Sequence, residues 1–111
     1  MTEPVPEIDV RTAERRARSG EVLLLDVRED DEWAAGRAEL ALHRPLSRLQ
    51  LGDVPTDRPV VAVCRVGGRS AQATQALRSA GLDVTNMGGG MLAWQAAGLP
   101  LVGDDGPGVV S

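Results

Sequence analysis

Short, continuous apolar runs occur at three places along the chain. Val22–Val27 and Pro59–Cys64 are almost wholly apolar and have the length of single strands. Runs of this kind are typical of strands buried on both faces of a parallel sheet. Asp83–Met87 predicts a third, shorter strand.

The segments between these runs have the periodic apolar spacing of helices. Val10, Ala13 and Ala17 fall on one helical face, with Asp9 as the predicted N-cap and Gly20 as the stop. Three more helices are predicted, at residues 29–36, at about 70–80 and at about 91–97. Residues 40–46 predict a further strand, and residues 47–51 predict a single helical turn.

Strands that alternate with helices predict an α/β domain with a mainly parallel central sheet and helices on both faces. The 111 residues suit one domain, which we place at residues 1–100. Residues 101–111 contain several glycines and a proline and predict a mobile C-terminal tail. Sheets of this class bind ligands at the carboxyl ends of their strands, and Cys64 lies at one such end.

Composition and charge disfavour several classes of protein. The net charge of -4 argues against a nucleic-acid-binding surface, which usually has a basic excess. No apolar run approaches the ~20 residues of a membrane span, and the first residues lack the pattern of a signal peptide. The single cysteine allows no intramolecular disulfide and no zinc site built on thiolates. The acidic run Glu29–Glu32 has no histidine nearby to complete a metal site, so it predicts the solvated start of a helix. We therefore predict a cytoplasmic protein with no metal, no cofactor, and no nucleic-acid or membrane partner.

The loop after the second strand is suited to binding an anion. Cys64 is followed by Arg65-Val-Gly-Gly-Arg69, and a helix is predicted to begin about six residues after the cysteine. The two glycines allow a tight curl that directs backbone N–H groups and a helix N-terminus at one point. Arg65 and Arg69 add positive charge. Because this setting favours the thiolate over the thiol, Cys64 is predicted to be an accessible nucleophile.

Three stretches of the chain resemble the rhodanese family, in order and with suitable spacing over roughly residues 7–100. One of them is similar to the active-site loop of that family. The stretches are Leu23–Glu29 with Glu32–Gly36, the loop Val63–Ala71, and Gly89–Trp94 with Ala97–Pro100.

The resemblance implies the rhodanese fold and a sulfur transfer in two displacement steps. Cys64 would take a sulfur atom from a donor such as thiosulfate and pass it, as a persulfide, to an acceptor such as cyanide or a thiol. Asp26 matches a family aspartate that pairs with the last arginine of the loop, here Arg69, and Arg28 has a weaker, structural role. The implied partners are small sulfur-containing anions and a sulfur donor or acceptor protein. The residues implied to bind the persulfide are Arg65, Val66, Gly67, Gly68, Arg69 and Ser70.

A phosphatase or arsenate reductase loop is the nearest alternative enzyme. Such a loop needs an arginine six positions after its cysteine, where this chain has Ser70, and Arg69 comes one position earlier. The shorter loop favours a single sulfur over a phosphate. A persulfide carrier or a partner-binding rhodanese module, with little turnover, is the non-enzymatic alternative.

One stretch departs from the family pattern. After Gly36 the family often has His-Ile-Pro-Gly-Ala, followed by an Asn or His and Ile-Pro, and this chain has Arg37–Ala41 followed by Leu42–Pro45 instead. The pocket wall built there is therefore predicted to differ, with an effect on donor preference. His43, the only histidine, is predicted to lie at the pocket rim or the surface.

Overall fold

The computed structural model describes residues 4–111. The strands of its central sheet are β1 (Glu7–Ile8), β2 (Leu23–Asp26), β3 (Leu42–His43), β4 (Val60–Val63) and β5 (Val84–Met87). Its helices are α1 (Val10–Arg18), α2 (Asp30–Ala35), α3 (Gly68–Ser79) and α4 (Gly90–Ala96). A hairpin of β6 (Val102–Gly103) and β7 (Gly106–Pro107) follows. None of the helices in the described range has the length and hydropathy needed to cross a membrane.

The central sheet is parallel throughout, with the strand order β1-β5-β4-β2-β3. Alternate residues of its strands face opposite layers. Leu24 and Val61 pack in a cluster with residues of α1 and α4, such as Ala13 and Met91. The next residues along β2 and β4 pack in a second cluster with α3. The predicted α/β architecture with helices on both faces is therefore confirmed.

Local signals in the sequence place the first helix correctly. The Asp9 carboxylate accepts a hydrogen bond from Thr12 N at 2.7 Å, as expected of an N-cap. Val10, Ala13 and Ala17 are the buried residues of α1, which ends at Arg18. An apolar stripe and a polar cap are thus sufficient to define this element.

The stretch between α2 and β4 has less regular structure than predicted. The strand expected over residues 40–46 is reduced to β3, and the single turn expected at 47–51 becomes two 3₁₀ turns, Leu46–Arg48 and Leu51–Asp53. β3 pairs through two residues with β2 at the edge of the sheet. Backbone hydrogen bonds from Arg44 N to Asp26 O and from Leu46 N to Val27 O continue this contact as far as the first 3₁₀ turn.

The expected mobile tail is corrected by the structure, in which the last residues pack on the domain. Val110 is 8% exposed and belongs to the same core cluster as α1 and α4. Val109 N donates to Ala35 O at 2.9 Å, and Arg37 pairs with Val102 in an antiparallel bridge. A β-carbon at Gly36 would collide with the backbone of Val109, so glycine is what permits this close approach. Glycine content here reflects tight packing and not a disordered tail.

Candidate functional site

The carboxyl ends of three neighbouring strands bring polar side chains to one edge of the sheet. Asp26 ends β2, Cys64 directly follows β4, and Asn86 is the penultimate residue of β5. The register pairs Asp26 with Val63 and Asn86 with Ala62. Parallel strands place these ends side by side, which is where a ligand site is expected in such a sheet.

The loop after Cys64 is tighter than predicted. Gly67 has a φ of 105°, in the left-handed region that favours glycine, and α3 begins at the next residue, Gly68. The helix therefore starts two residues before Ser70, the predicted start. Since Ser70 already lies within the first turn, its side chain is held by helical geometry.

The sulfur of Cys64 lies inside this loop and is hydrogen-bonded from two sides. Gly67 N donates to Sγ at 3.1 Å, and Ser70 Oγ lies 3.2 Å from Sγ. Within residues 4–111 these are the hydrogen-bonding contacts of Sγ, so the expected group of several amides is represented by one amide and one hydroxyl. Two other loop positions are open to solvent: Val66 is 57% exposed, and Gly68 is also exposed.

Cys64 is 1% exposed, which differs from the accessible thiol that we expected. The loop curls over the sulfur, and the backbone of α4 lies against it, with Met91 N donating to Cys64 O at 2.8 Å and Leu92 N donating to Arg65 O at 3.0 Å. Little of Cys64 is therefore open to a reagent or substrate in this conformation.

Arg69 is held by an acidic residue of α2. Its two terminal nitrogens donate to the two carboxylate oxygens of Glu32 at 2.6 and 2.7 Å, in a bidentate pair. The Arg69 hydrogen bond is the largest influence on the pKa of Glu32, which falls from 4.5 to about 2, and the pKa of Arg69 is raised in turn. The pair ties the start of α3 to α2.

The predicted pairing of Asp26 with Arg69 is wrong. Asp26 pairs instead with Arg28, two residues along the chain, and both side chains are fully buried. Arg28 Nε and Nη2 donate to the Asp26 carboxylate at 2.8 to 3.1 Å, and Nη2 also donates to Gly36 O at 2.7 Å. Arg28 occupies the carboxylate that Arg69 was expected to use, and Glu32 takes its place as the partner of Arg69.

Arg65 turns toward the end of the described chain. Its Nε donates to the Ser111 carbonyl oxygen at 2.7 Å. Its two terminal nitrogens make no hydrogen bond within residues 4–111. Arg65 is half-buried.

Sequence reasoning did not identify Glu32 or Asn86 as part of the site. Glu32 was assigned to a solvated helix start, and its reach to Arg69 depends on where α2 lies relative to the start of α3. Asn86 is 2% exposed. The sequence feature that could have identified it is a polar amide within a buried strand, at the ligand-binding edge of the sheet.

His43 lies in a half-buried stack and not beside the sulfur. Its ring packs face to face with that of Trp33, with the centroids 4.5 Å apart. Nε2 lies 2.8 Å from Arg28 O. No hydrogen bond joins His43 to Cys64 in the described part of the chain. That part also contains no group of three histidine, cysteine or acidic side chains placed to bind one metal ion.

We expect Glu32→Gln to destabilise the domain by about 1 kcal/mol at neutral pH, because it weakens a partly buried bidentate pair. The folded-state pKa of Glu32, about 2, lies below the ordinary value of 4.5. The stabilisation is therefore fully present above pH 4.5 and is lost as the pH falls through 2. Urea unfolding of both proteins between pH 2 and pH 7 measures this difference.

Asp31→Asn is the matched control for this experiment. Asp31 is the exposed neighbour of Glu32 in α2 and makes no ion pair within the described chain. Its substitution should leave the free energy of unfolding within a few tenths of a kcal/mol of the parent. A Glu32→Gln difference that does not shrink toward acid pH would contradict the role assigned to the Glu32–Arg69 pair.

Comparison with protein-family models matches residues 8–97 to the rhodanese-like domain. A sulfurtransferase of Allochromatium vinosum is 41% identical over 106 residues, covering 92% of this chain and 99% of that protein. A helix-turn-helix-type transcriptional regulator of Mycobacterium tuberculosis is 40% identical over 103 residues, covering 86% of this chain. This chain spans 45% of the length of that regulator.

The fold is also similar to that of solved structures. The crystal structure of a rhodanese-related protein from Thermoplasma volcanium superposes with a TM-score of 0.80 at 27% identity. The match covers 87% of this chain and 97% of that one. Sequence and fold therefore agree on one family, over almost the whole domain.

Proposed function

This chain belongs to the rhodanese family, and on that premise we propose that it is a sulfurtransferase in which Cys64 carries the transferred sulfur as a persulfide. A role in sulfur transfer follows from the family and from the relative named a sulfurtransferase. The persulfide at Cys64, the thiosulfate donor and the acceptors cyanide or a thiol are our proposal.

The observation that carries the proposal is the position of the Cys64 sulfur. It lies at the carboxyl end of a central strand, with Gly67 N donating to it at 3.1 Å from a loop that leads into a helix N-terminus. An N–H donor and a helix N-terminus favour negative charge on sulfur. The same features favour an anionic persulfide, whose charge lies on the outer sulfur atom.

The proposed reaction has two displacements. The Cys64 thiolate attacks the outer sulfur of thiosulfate, a new sulfur–sulfur bond forms, and the donor's own sulfur–sulfur bond breaks so that sulfite leaves with the electron pair. Cyanide or a thiolate then attacks the outer sulfur of the persulfide, and the Cys64 thiolate is released. No oxidant or reductant is consumed, since each step exchanges one sulfur between two anions.

The residues of the loop and its neighbours would have different roles in this reaction. The outer sulfur would lie among the residues that follow Cys64, and the terminal nitrogens of Arg65 would attract an anionic donor. The Glu32–Arg69 pair and the buried Asp26–Arg28 pair would hold the loop and α2 in register. The residues proposed to bind the persulfide are Arg65, Val66, Gly67, Gly68, Arg69 and Ser70.

The same geometry supports sulfur over phosphate. Ser70 stands where a phosphatase arginine would be, and it is fully buried beside the sulfur at 3.2 Å. Arg69, the arginine nearest to that position, is already in a bidentate pair with Glu32. A tetrahedral phosphate would need both more room and a free guanidinium, so the loop suits a single added sulfur.

A persulfide carrier with little turnover on small donors is the second candidate. The burial of Cys64 favours it, because a residue that is 1% exposed offers little surface to a small donor in solution. A partner protein would open the loop on binding. The relative that is a longer transcriptional regulator supports a module of this kind.

Intact-mass measurement after incubation with thiosulfate tests the proposal. The reduced protein should gain about 32 Da, the mass of one sulfur, and lose it again on addition of cyanide. Rapid, repeated turnover to thiocyanate identifies an enzyme, and loading without turnover identifies a carrier. No mass gain from thiosulfate or from a small persulfide donor would contradict both.

A further inference from the structure

Four buried or partly buried groups form a closed ring of hydrogen-bonding contacts around the sulfur. Gly67 N donates to Cys64 Sγ at 3.1 Å, and Asn86 Nδ2 donates to the carbonyl oxygen of the same glycine at 3.2 Å. Ser70 Oγ lies 2.6 Å from Asn86 Oδ1 and 3.2 Å from Cys64 Sγ, which closes the ring. Asn86 and Ser70 are 2% and 0% exposed, so no solvent can replace these contacts.

The orientation of the Asn86 amide fixes the direction of the Ser70 hydroxyl proton. Nδ2 must face Gly67 O, because an amide oxygen placed there would oppose a carbonyl oxygen. Oδ1 therefore faces Ser70, and it can only accept. The Ser70 proton points at Asn86, and its oxygen lone pair is presented to the sulfur.

This direction suits the thiol of Cys64 and not its thiolate. The thiol can donate its own proton to Ser70 Oγ, and every member of the ring is then satisfied. A thiolate attracts the Ser70 proton, and Asn86 Oδ1 would then be left buried without a donor, which is unfavourable. Asn86 and the thiolate compete for one proton.

The persulfide removes that competition. Its negative charge lies on the outer sulfur, about 2 Å from Sγ, and Sγ itself no longer needs the Ser70 proton. In the loaded state no proton lies between Sγ and Ser70 Oγ, but Asn86 Oδ1 keeps the Ser70 proton and is not left buried without a donor.

We propose that Asn86 is a positioning residue that sets the thiolate fraction of Cys64 through the Ser70 hydroxyl, and so favours the sulfur-loaded state over the free thiolate. The favoured sulfur-loaded state rests on the proposed function. The effect of Asn86 on the thiolate rests on the geometry alone. Charged groups of the surrounding elements act on the same sulfur without changing the direction of the Ser70 proton. β5 and α4 contribute no ionisable side chain. The loop contributes Arg65 and Arg69, α2 contributes Asp30, Asp31 and Glu32, and the end of β2 and the turn after it contribute Asp26, Arg28 and Glu29.

Titration of the thiolate by its ultraviolet absorbance measures this effect directly. The chain has one cysteine and no tyrosine, so Cys64 is its one thiol and no tyrosinate absorbs with it. Cys64→Ala provides the blank. The method needs no access to the buried sulfur and no sulfur donor.

Asn86→Leu is expected to lower the midpoint of this titration by about one pH unit, because the freed Ser70 hydroxyl then donates to the thiolate. In a Ser70→Ala background the same substitution should leave the midpoint unchanged. Thr85→Val, one residue earlier on the same strand, is the matched control and should also leave it unchanged. An equal shift in both backgrounds, or no shift in either, would overturn the proposal.

The direction in which Ser70→Ala alone moves the titration midpoint is a second, independent test. If Asn86 holds the Ser70 proton, removing the hydroxyl lowers the midpoint slightly or leaves it unchanged, because the thiol loses an acceptor and the thiolate loses no donor. A raised midpoint means that Ser70 donates to the thiolate in the parent protein, and the proposal is then wrong. This measurement stays decisive if Asn86→Leu fails to fold.

The titration and the sulfur-loading experiment can each give a negative result independently of the other. A parent protein that takes up no sulfur contradicts the proposed function, while the titration midpoints of the variants are unaffected. A protein that loads normally but shows no Ser70-dependent effect of Asn86 contradicts this inference alone.

Discussion

Cys64→Ser is expected to abolish sulfur loading and to reduce sulfur transfer by at least about a thousandfold, while the domain stays folded. Serine keeps the size and the hydrogen-bonding contacts of the side chain, but its hydroxyl is scarcely ionised at neutral pH and forms no persulfide. The chain has no other thiol to replace it. Mass spectrometry and thiocyanate formation measure the two losses.

The thermal midpoint of the Cys64→Ser protein should lie within a few degrees of the parent, since the substitution is close to isosteric at a site where Gly67 N and Ser70 Oγ can both bond to oxygen. A variant that unfolds would leave the chemistry undecided, and Cys64→Ala then serves as the second variant. Transfer that survives in a folded variant would remove Cys64 from the mechanism.

Much of the fold is predictable because it depends on local pattern. β2 and β4 are short apolar runs, and α1 is an apolar stripe with a polar cap at Asp9. Such features specify an element without reference to its neighbours. The position of Cys64 at a strand end followed from the same reasoning, because the strand ended where the apolar run ended.

The choice of ion-pair partners was not predictable in the same way. Asp26 has two arginines as candidate partners, Arg28 and Arg69, and the sequence does not show which of them reaches it. The turn after β2 brings Arg28 back onto Asp26, and the packing of α2 places Glu32 within reach of Arg69. These distances arise from tertiary packing, and short-range pattern carries no information about them.

The packed C-terminal segment escaped prediction for a related reason. Glycine and proline are typical of flexible segments, yet Gly36 and Gly108 allow two backbones to approach more closely than any side chain would permit. Composition does not distinguish these two uses of glycine. The apolar residues of the segment were the signal for its packing, and of these Val110 is buried and Leu101 packs against the same core cluster.

The buried Asp26–Arg28 pair gives the second large effect that we expect. Arg28→Met should destabilise the domain by about 3–5 kcal/mol, because it leaves the Asp26 carboxylate at 0% exposure without its cation. It also leaves Gly36 O without the Arg28 donor. Since a domain of this size is stable by about 5–15 kcal/mol in all, urea unfolding should show a strongly reduced midpoint or no folded protein.

The double variant Asp26→Leu with Arg28→Met separates loss of a buried charge from loss of packing. Replacing both partners with apolar side chains removes the unpaired charge, so the double variant should be more stable than Arg28→Met alone. If the pair also holds α2 in register, the double variant will fold but lose the Glu32–Arg69 contact, and its sulfur loading will be slower than that of the parent. A double variant as unstable as the single one would show that the carboxylate is not the cause, and that the Arg28 hydrogen bond to Gly36 O is what the fold requires.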